Sequence, residues 1–590
     1  MSGQTANART ISKQMFRLLP IQVLLSAVGA VNGIVSGYFA SNYVGVDAMS
    51  AVGLYGPVNM LVISLGMLMV SGSVIICGKY MGKNQPDKVQ NVFSLNLLLS
   101  ALVGAVFAVL LLTSGLFDLS GFLTKDPAVR PLLNRYLIGQ AIGVFPLVLG
   151  TQLPAFLALE NNNRRTMIAS LLYIAVNIVL NLVFVRMLSL GAFGLALASS
   201  LGLWVFLAAL AQYFFSKDSH LHISVAHPAW RESGEIFRIG FPGAACNLYQ
   251  TARGLAVNRL LELFVGSVGI SAFATADNVM RIFWAILGGM LAVSRLMMSI
   301  SIGEEDRRTL TDIMRVMFLR FVPLMMTVSA LIMASAVPLT RIFFRDPAQA
   351  VYGMTIWGLR LLPLCMPFSV VCMHFTCYAQ ASDKQGLVHA LSLLDGVICV
   401  AGFTALLIRP LGMNSVYIAN ILNGVVCLLV ILGYAALKNR RWPQNMEELM
   451  VIPEDFGVPE EARMDLSVQS MEEVVSIAGQ VQSFCLSRGV DERRACLAGL
   501  ALEEMAGNVV THGFEKDRKK HSVDVRVVHK GENVILRIKD DCIPFDPNER
   551  KSLFDAEDPV KNVGIRMVFR MASQVDYQYL VGLNVLTVRI

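Results

Sequence analysis

The sequence predicts a polytopic all-α membrane bundle of 12 transmembrane helices in two six-helix lobes, followed by a C-terminal α/β two-layer sandwich. Three observations carry that prediction. Hydrophobic residues make up 55% of the 590 and charged residues only 15%, a balance foreign to soluble chains. The charges are also unevenly placed: Ala48–Gly78, Asn91–Phe117, Met187–Ser216 and Leu411–Leu437 carry none. Each run exceeds the ~20 residues that cross ~30 Å of hydrocarbon as helix. Beyond residue 440 the chain turns polar, and helical periodicity and strand alternation both occur.

Taken in order, spans fall near 15–40, 51–77, 91–115, 131–156, 166–186, 191–215, 236–261, 268–300, 316–337, 351–378, 387–408 and 412–437. Met1–Gln14 is polar and has no cleavage pattern, so the first apolar run is expected to be a retained span. An even number of spans puts both ends on one side. Loops on that side carry Lys79, Lys83, Lys88, Arg164, Arg165, Lys217, Arg231, Arg307, Arg308, Lys384, Arg440 and Arg441, which makes both termini cytoplasmic and the location the plasma (inner) membrane. The net charge of +7 is thereby a topology signal, and no nucleic-acid partner is expected. The ten cysteines show no paired spacing and seven lie in apolar spans, so neither a disulfide framework nor a cysteine-built metal site is expected.

The membrane domain, 1–440, divides into lobes at about 11–220 and 230–437 that repeat at an offset of roughly 220 residues. Leu123-Thr124-Lys125-Asp126-Pro127-Ala128 answers Phe344-Arg345-Asp346-Pro347-Ala348, and Ser170-Leu171-Leu172 answers Ser392-Leu393-Leu394. Phe39-Ala40-Ser41-Asn42-Tyr43-Val44-Gly45 and its continuation to Leu54, with Ile168-Ala169-Ser170 leading into Asn177-Ile178-Val179-Leu180-Asn181, resemble the multidrug and toxic-compound extrusion (MATE) family over about 11–437. The resemblance implies two lobes around a cavity that opens alternately to each side, exporting amphipathic small molecules against an inward flow of sodium ion or protons. The chain departs from the family pattern at Ser36 and Asn181, where acids are expected.

Charge within the spans concentrates in the second lobe, at Arg253, Asp277, Arg281, Arg295 and Asp395. A charge at mid-bilayer costs between ~2.5 and more than ~10 kcal/mol, so it needs a partner or a wet cavity. Arg253 and Asp395 lie deepest and are expected to line a transport cavity; Asp277 joins them from nearer a span end. Arg281 and Arg295 can snorkel or face a neighbouring helix.

Residues 441–461 form a linker, its end rich in Pro and Gly, and 462–590 form the cytoplasmic domain. There Met464–Val468 reads as a strand, Met471–Ser487 as an amphipathic helix and Asp491–His512 as a second helix capped by Asp491. Val523–Val528 and Asn533–Lys539 alternate around Lys530-Gly531-Glu532 as a hairpin, and Asn584–Ile590 closes the domain as a strand. Glu504, Asn508 and His512 recur every four residues and so share a helix face.

That helix, then Asp540-Asp541-Cys542-Ile543-Pro544-Phe545-Asp546-Pro547 after a strand and Asn562-Val563-Gly564-Ile565-Arg566 opening another helix, resembles the gyrase and histidine-kinase (GHKL) ATPase superfamily. The likeness is closest to its anti-sigma-factor serine kinases. The resemblance implies ATP and Mg2+ as cofactors. Asn508 would ligate the metal, Glu504 would act as catalytic base on an attacking hydroxyl, Asp540 would accept from the adenine amino group, and Gly564 would let backbone amides approach phosphate. Cys542 and Asn562 stand where the pattern has glycine. Lys516–Lys520 reads as a solvated loop and Asn548–Lys561 as a nucleotide lid. Two functions fit. One is an exporter of amphipathic cargo regulated by its own ATP-binding, serine-kinase-like domain; the other is a transporter-like receptor that phosphorylates or binds an anti-anti-sigma (STAS-type) partner. ATP-driven pumping is disfavoured, since no G-x-x-x-x-G-K-[ST] loop occurs.

Overall fold

The computed structural model describes residues 11–590 except 25, 27–38, 40–42, 45, 123–126, 128, 218, 224–229, 345, 515–520, 522, 545–562 and 581. Ser36, most of the 123–128 repeat match, the basic run 516–520, Asp546, Asn562 and the lid 548–561 lie outside the described residues. Residues 11–24 form α1, followed by α2 (Val46–Gly82), α3 (Pro86–Leu116), α4 (Val129–Leu159), α5 (Asn163–Met187) and α6 (Gly191–Phe214). The second lobe holds α7 (Ser233–Phe264), α8 (Ser267–Gly303), α9 (Arg307–Ala334), α10 (Ala336–Phe343), α11 (Ala350–Ala381), α12 (Gln385–Leu411) and α13 (Asn414–Asn439).

Among the described residues ten helices are long and apolar enough to cross a membrane, not the twelve expected. The two shortfalls have different reasons. The first expected span falls largely on residues that are not described. The seventh, α7, has 32 residues, enough for about 48 Å at ~1.5 Å per residue, but carries Glu235, Arg238, Arg253, Arg259 and Glu262. A turn of π-helix ends α5 at Leu182–Met187, and others interrupt α9 at Met317–Phe321 and α12 at Leu394–Ile398. Large apolar side chains such as Leu102, Leu110, Leu331 and Leu406 point outward, where lipid is the solvent.

The lobes meet where α2 crosses α7 and α8. A Cβ on Gly72 would overlap the Ile236 carbonyl, one on Gly240 the Leu68 carbonyl, and one on Gly303 the Lys79 carbonyl. Small residues let the backbones touch, the usual basis of close helix association in lipid. These crossings lie toward the end that bears the loops at Lys83–Gln85 and Glu304–Asp306.

After α14 (Met446–Met450), the C-terminal domain runs β1 (Arg463–Val468), α15 (Met471–Ser487), α16 (Glu492–Asn508), β2 (Val523–Lys530), β3 (Asn533–Asp540), α17 (Val563–Met571), β4 (Gln574–Leu580) and β5 (Leu583–Arg589). Ser470 starts α15 by accepting from Glu473 N at 3.3 Å, while Glu473 accepts from Gln469 N at 2.7 Å, a reciprocal cap. Gly531, at φ +63°, turns the two-residue hairpin between β2 and β3. The sheet is antiparallel throughout, in the order β1-β2-β3-β5-β4.

Alternation along the strands decides what each sheet face touches. Val525, Val527, Leu536, Ile538 and Val588 are buried in one core with Val481, Leu502 and Val568 of the helices. The opposite face carries Asp465, Arg526, Arg537 and Lys539, and it meets the membrane domain instead of water. Lys539 Nζ donates to Glu304 at 2.7 Å, Arg537 reaches the same carboxylate at 3.5 Å, and Arg526 pairs with Asp306. Arg308 in turn reaches Asp465 at 3.2 Å. The first lobe joins at Asn84, which accepts from Gln578, and at Lys13, which donates to Asp541 at 2.5 Å. The linker is strapped down as well: Lys384 Nζ donates to the Met450 and Val451 carbonyls at 2.6 and 2.7 Å, and Arg307 pairs with Glu447 at 2.7 Å.

Candidate nucleotide site and second-lobe polar cluster

Helix α16 begins where Asp491 Oδ1 accepts from Arg494 N at 3.0 Å. It buries Ala498, Leu502, Met505 and Ala506, which turns Glu504 and Asn508 to the open side. Asn508 Nδ2 donates to Glu504 Oε1 at 3.2 Å, so the amide's Oδ1 is directed away from that carboxylate as a hard oxygen donor of the kind Mg2+ prefers. A π-helical turn, Val509–Gly513, follows Asn508. Its wider i→i+5 winding breaks the four-residue register, and His512 is exposed instead of extending the Glu504–Asn508 pair.

Gly564 lies in the first turn of α17, and a Cβ there would collide with the Glu504 carboxylate. Glu504, Asn508 and a helix N-terminus are thus brought together. Asp540 ends β3, buried, and its Oδ1 accepts from Asn584 Nδ2 at 2.6 Å and Cys542 N at 3.0 Å. Burial raises its carboxyl above the usual range, partly offset by those two donors. The Cys542 side chain, at the glycine position, packs toward Gly513 at the end of the α16 extension. That contact ties the end of β3, where Asp540 stands, to the end of the α16 extension. Neighbouring Asp541 accepts from Lys13 and His521; burial alone would raise it, but those donors outweigh burial and hold it below the usual range. A buried acceptor, an oriented amide oxygen and a helix start are groups of the kind that hold a nucleotide.

In the second lobe, Arg253 Nη1 donates to the Asp395 backbone carbonyl at 3.4 Å, which joins α7 to the π-turn of α12. Asp395 Oδ1 accepts from Asn423 Nδ2 of α13 at 2.7 Å. Arg253 and Asp395 are therefore neighbours. Asp277 pairs with Arg281 one turn along α8 at 3.0 Å, both partly exposed. Arg295 Nε approaches Cys377 at 3.5 Å. In the first lobe Asn181 is fully buried and donates to the Asn177 carbonyl at 2.8 Å, as a neutral group would. Sequence reasoning missed Asn423, although its four-residue spacing from Cys427 already placed the two on one face of α13.

Comparison with known proteins adds the following. The MatE family model matches residues 24–183 and the histidine kinase-like ATPase domain model matches 468–590. A curated relative, the probable multidrug resistance protein NorM of Bacillus subtilis, is 26% identical over 298 residues, covering 48% of this chain and 64% of its own. NorM of Bacillus anthracis is 26% identical over 41% of this chain and 53% of its own. The multidrug export protein MepA of Staphylococcus saprophyticus is 20% identical over 66% of this chain and 86% of its own. The chain thus spans between half and two thirds of the NorM relatives' length. Among solved structures, MATE in complex with MaL6 superposes with TM-score 0.66 and 24% identity, over 73% of this chain and 97% of that one. A MOP superfamily transporter from Pyrococcus furiosus gives 0.65 at 22% identity, over 72% and 97%. These likenesses show the fold of the membrane region.

Proposed function

From a chain that joins a MATE-family domain to a histidine-kinase-like ATPase domain, we propose a membrane exporter of amphipathic small molecules whose cytoplasmic domain binds ATP and regulates transport. One observation carries the regulatory half: the loop Glu304–Asp306 between α8 and α9 of the second lobe, with Arg308 of the first turn of α9, is ion-paired into the sheet of the ATPase domain through Arg526, Lys539 and Asp465. Lys13 and Asn84 bind the same domain to the first lobe. A body that grips both lobes at one end favours the state in which that end is closed. Any nucleotide that reshapes the body shifts the balance between the two openings of the cavity.

In the pocket, Asn508 Oδ1 would hold Mg2+, Asp540 the adenine amino group and the amides beside Gly564 the phosphates. Bound magnesium nucleotide supplies a phosphoryl group already charge-neutralised for transfer. Glu504, held by Asn508, is placed to take the proton of a serine hydroxyl. Both termini are cytoplasmic, where ATP is present, and the membrane is the plasma membrane. Arg253 and Asp395 line the path of cargo and of the coupling sodium ion or proton, with Asp277 at its margin. The second reading, a receptor that phosphorylates or binds an anti-anti-sigma (STAS-type) partner, draws support from Asn181, a neutral residue bonded as a structural one where coupling would want an acid.

Efflux of a cationic dye from proteoliposomes under an imposed sodium or proton gradient, with and without internal Mg-ATP, tests the proposal. Gradient-dependent flux, altered by nucleotide and reduced at least tenfold in Asp395→Asn, is the expected result. Absence of flux together with phosphorylation of a STAS-type protein would favour the receptor.

A further inference from the structure

Three helices of the second lobe converge on donors that no sequence spacing relates. Cys372 of α11, Asp395 of α12 and Cys427 of α13 place one ligand atom each within 4.8 Å of the others. The Cys372 and Cys427 side chains are both buried. Asn423 links the group: its Nδ2 donates to Asp395 Oδ1 at 2.7 Å, and its Oδ1 accepts from the Cys427 thiol at 3.8 Å. Asp395 stands in the π-turn Leu394–Ile398, and such single inserted turns recur at functional sites.

The geometry points to a binding site for a soft divalent cation of the zinc and cadmium class, ligated by Cys372, Asp395 and Cys427 with the Asn423 amide oxygen as fourth donor. A tetrahedral zinc with bonds of about 2.3 Å to sulfur sets its thiolates about 3.8 Å apart, so the observed cluster closes with a shift of an ångström or less. Donor type excludes the hard ions: sodium and magnesium seek oxygen alone, whereas two sulfurs beside one carboxylate select zinc-like metals.

Charge supports the same choice. On binding, the S–H bonds of Cys372 and Cys427 break, their protons pass to solvent, and two S–metal bonds form. Two thiolates, one carboxylate, the nearby Arg253 guanidinium and a divalent cation sum to zero. A monovalent ion would leave the site negative inside a membrane span, which is costly. This differs from the expectation, drawn from the absence of paired cysteine spacing, that no cysteine metal site exists; the ligands come from three helices, so no local spacing could show it. The site shares Asp395 with the proposed export path, so its test reads metal binding at the two thiols and not efflux.

The test uses the full chain in detergent with exposed Cys496 replaced by serine, titrated with Cd2+ while thiolate-to-metal ultraviolet absorbance and released protons are recorded. We expect one equivalent with a sulfur charge-transfer band, about two protons released, loss of that equivalent in C372S/C427S and at least tenfold weaker binding in D395N. ATP binding and elution as a single species, unchanged in every variant, report the fold. An unchanged equivalent and band in C372S/C427S would overturn the site, as would binding without the sulfur band.

Discussion

Lys539 Nζ donates to Glu304 at 2.7 Å across 235 residues of sequence, joining the central strand of the C-terminal sheet to the loop between two membrane helices. The Glu304 side chain is only 3% exposed, so the contact is part of a sealed interface and not a solvated surface pair. Arg526 deepens it. At 10% exposure it sits between Asp306 and Asp465, one from each domain.

Breaking one partner of such a buried pair leaves the other charge uncompensated, at a cost of roughly 3–5 kcal/mol. Arg526→Ala is therefore expected to loosen docking and abolish the effect of Mg-ATP on efflux, while nucleotide binding stays. Exchanging charges in Glu304→Lys with Lys539→Glu should restore part of the nucleotide effect that either change alone removes. The interface also carries a pH signature. Burial alone would raise the Asp306 carboxyl, but Arg526 and Lys539 outweigh it and hold it well below its ordinary value of 3.8. Its contribution is complete above that value and fades as pH falls toward the depressed native one. Domain docking, followed by cross-linking of Asn84 and Gln578 positions as cysteines, should weaken on acidification below pH 4, and Arg526→Ala should flatten that slope.

The Asn508–Glu504 pair predicts separable losses. Asn508→Ala removes the oxygen proposed to hold magnesium and should weaken Mg-ATP binding at least tenfold, or about 1.4 kcal/mol, in calorimetry. Glu504→Gln keeps shape and hydrogen bonding but not basicity. Binding should survive within a few-fold while any phosphoryl transfer to a serine falls by about 10²–10⁴, the usual worth of a general base. Equal loss of both properties in the two variants would contradict the assigned roles.

How much of this was legible beforehand follows from what each signal depends on. Helices α15 and α16 and the β2–β3 hairpin were readable because caps, periodicity and the Gly531 turn are local. Strand β4 is hidden in the sequence, although Val575, Tyr577 and Tyr579 alternate, because it follows α17 with no Gly or Pro punctuation between them. The MATE-type bundle and the ATPase-type domain were both recognised from motifs, but not the face by which they join. Arg526, Arg537 and Lys539 alternate outward like any solvated strand face, and only the partner loop, more than 200 residues away, makes them an interface. The Asp277–Arg281 pair is local, one helical turn apart on α8, and so follows directly from the four-residue spacing.

Gly564 tests the pocket by sterics. Alanine there would press on the Glu504 carboxylate, so the two helices must separate or Glu504 must leave Asn508. Overpacking of this kind costs about 1–3 kcal/mol. Thermal unfolding of the Gly564→Ala chain should show the ATPase domain destabilised, and added Mg-ATP should rescue it less than it does wild type. A paired Glu504→Ala change relieves the clash and should return stability without returning phosphoryl transfer.

The lobe crossing supplies the last prediction. Gly72 and Gly240 hold α2 and α7 at backbone contact, and neither tolerates a Cβ without moving a helix. Gly240→Val would prop the lobes apart at the end where the ATPase domain binds, disfavouring the closed arrangement there. If alternation between two openings drives efflux, the propped chain should bind cargo but not export it. Because Lys13 and Asn84 contact the ATPase domain from one lobe and Glu304 and Asp306 from the other, propping also strains that domain's grip. Accessibility of a cysteine at position 71, beside the crossing, should rise severalfold toward a membrane-impermeant thiol reagent in Gly240→Val, and Mg-ATP should reverse part of the rise. An unchanged labelling rate with efflux intact would mean that the crossing is a fixed joint and that the lobes part elsewhere.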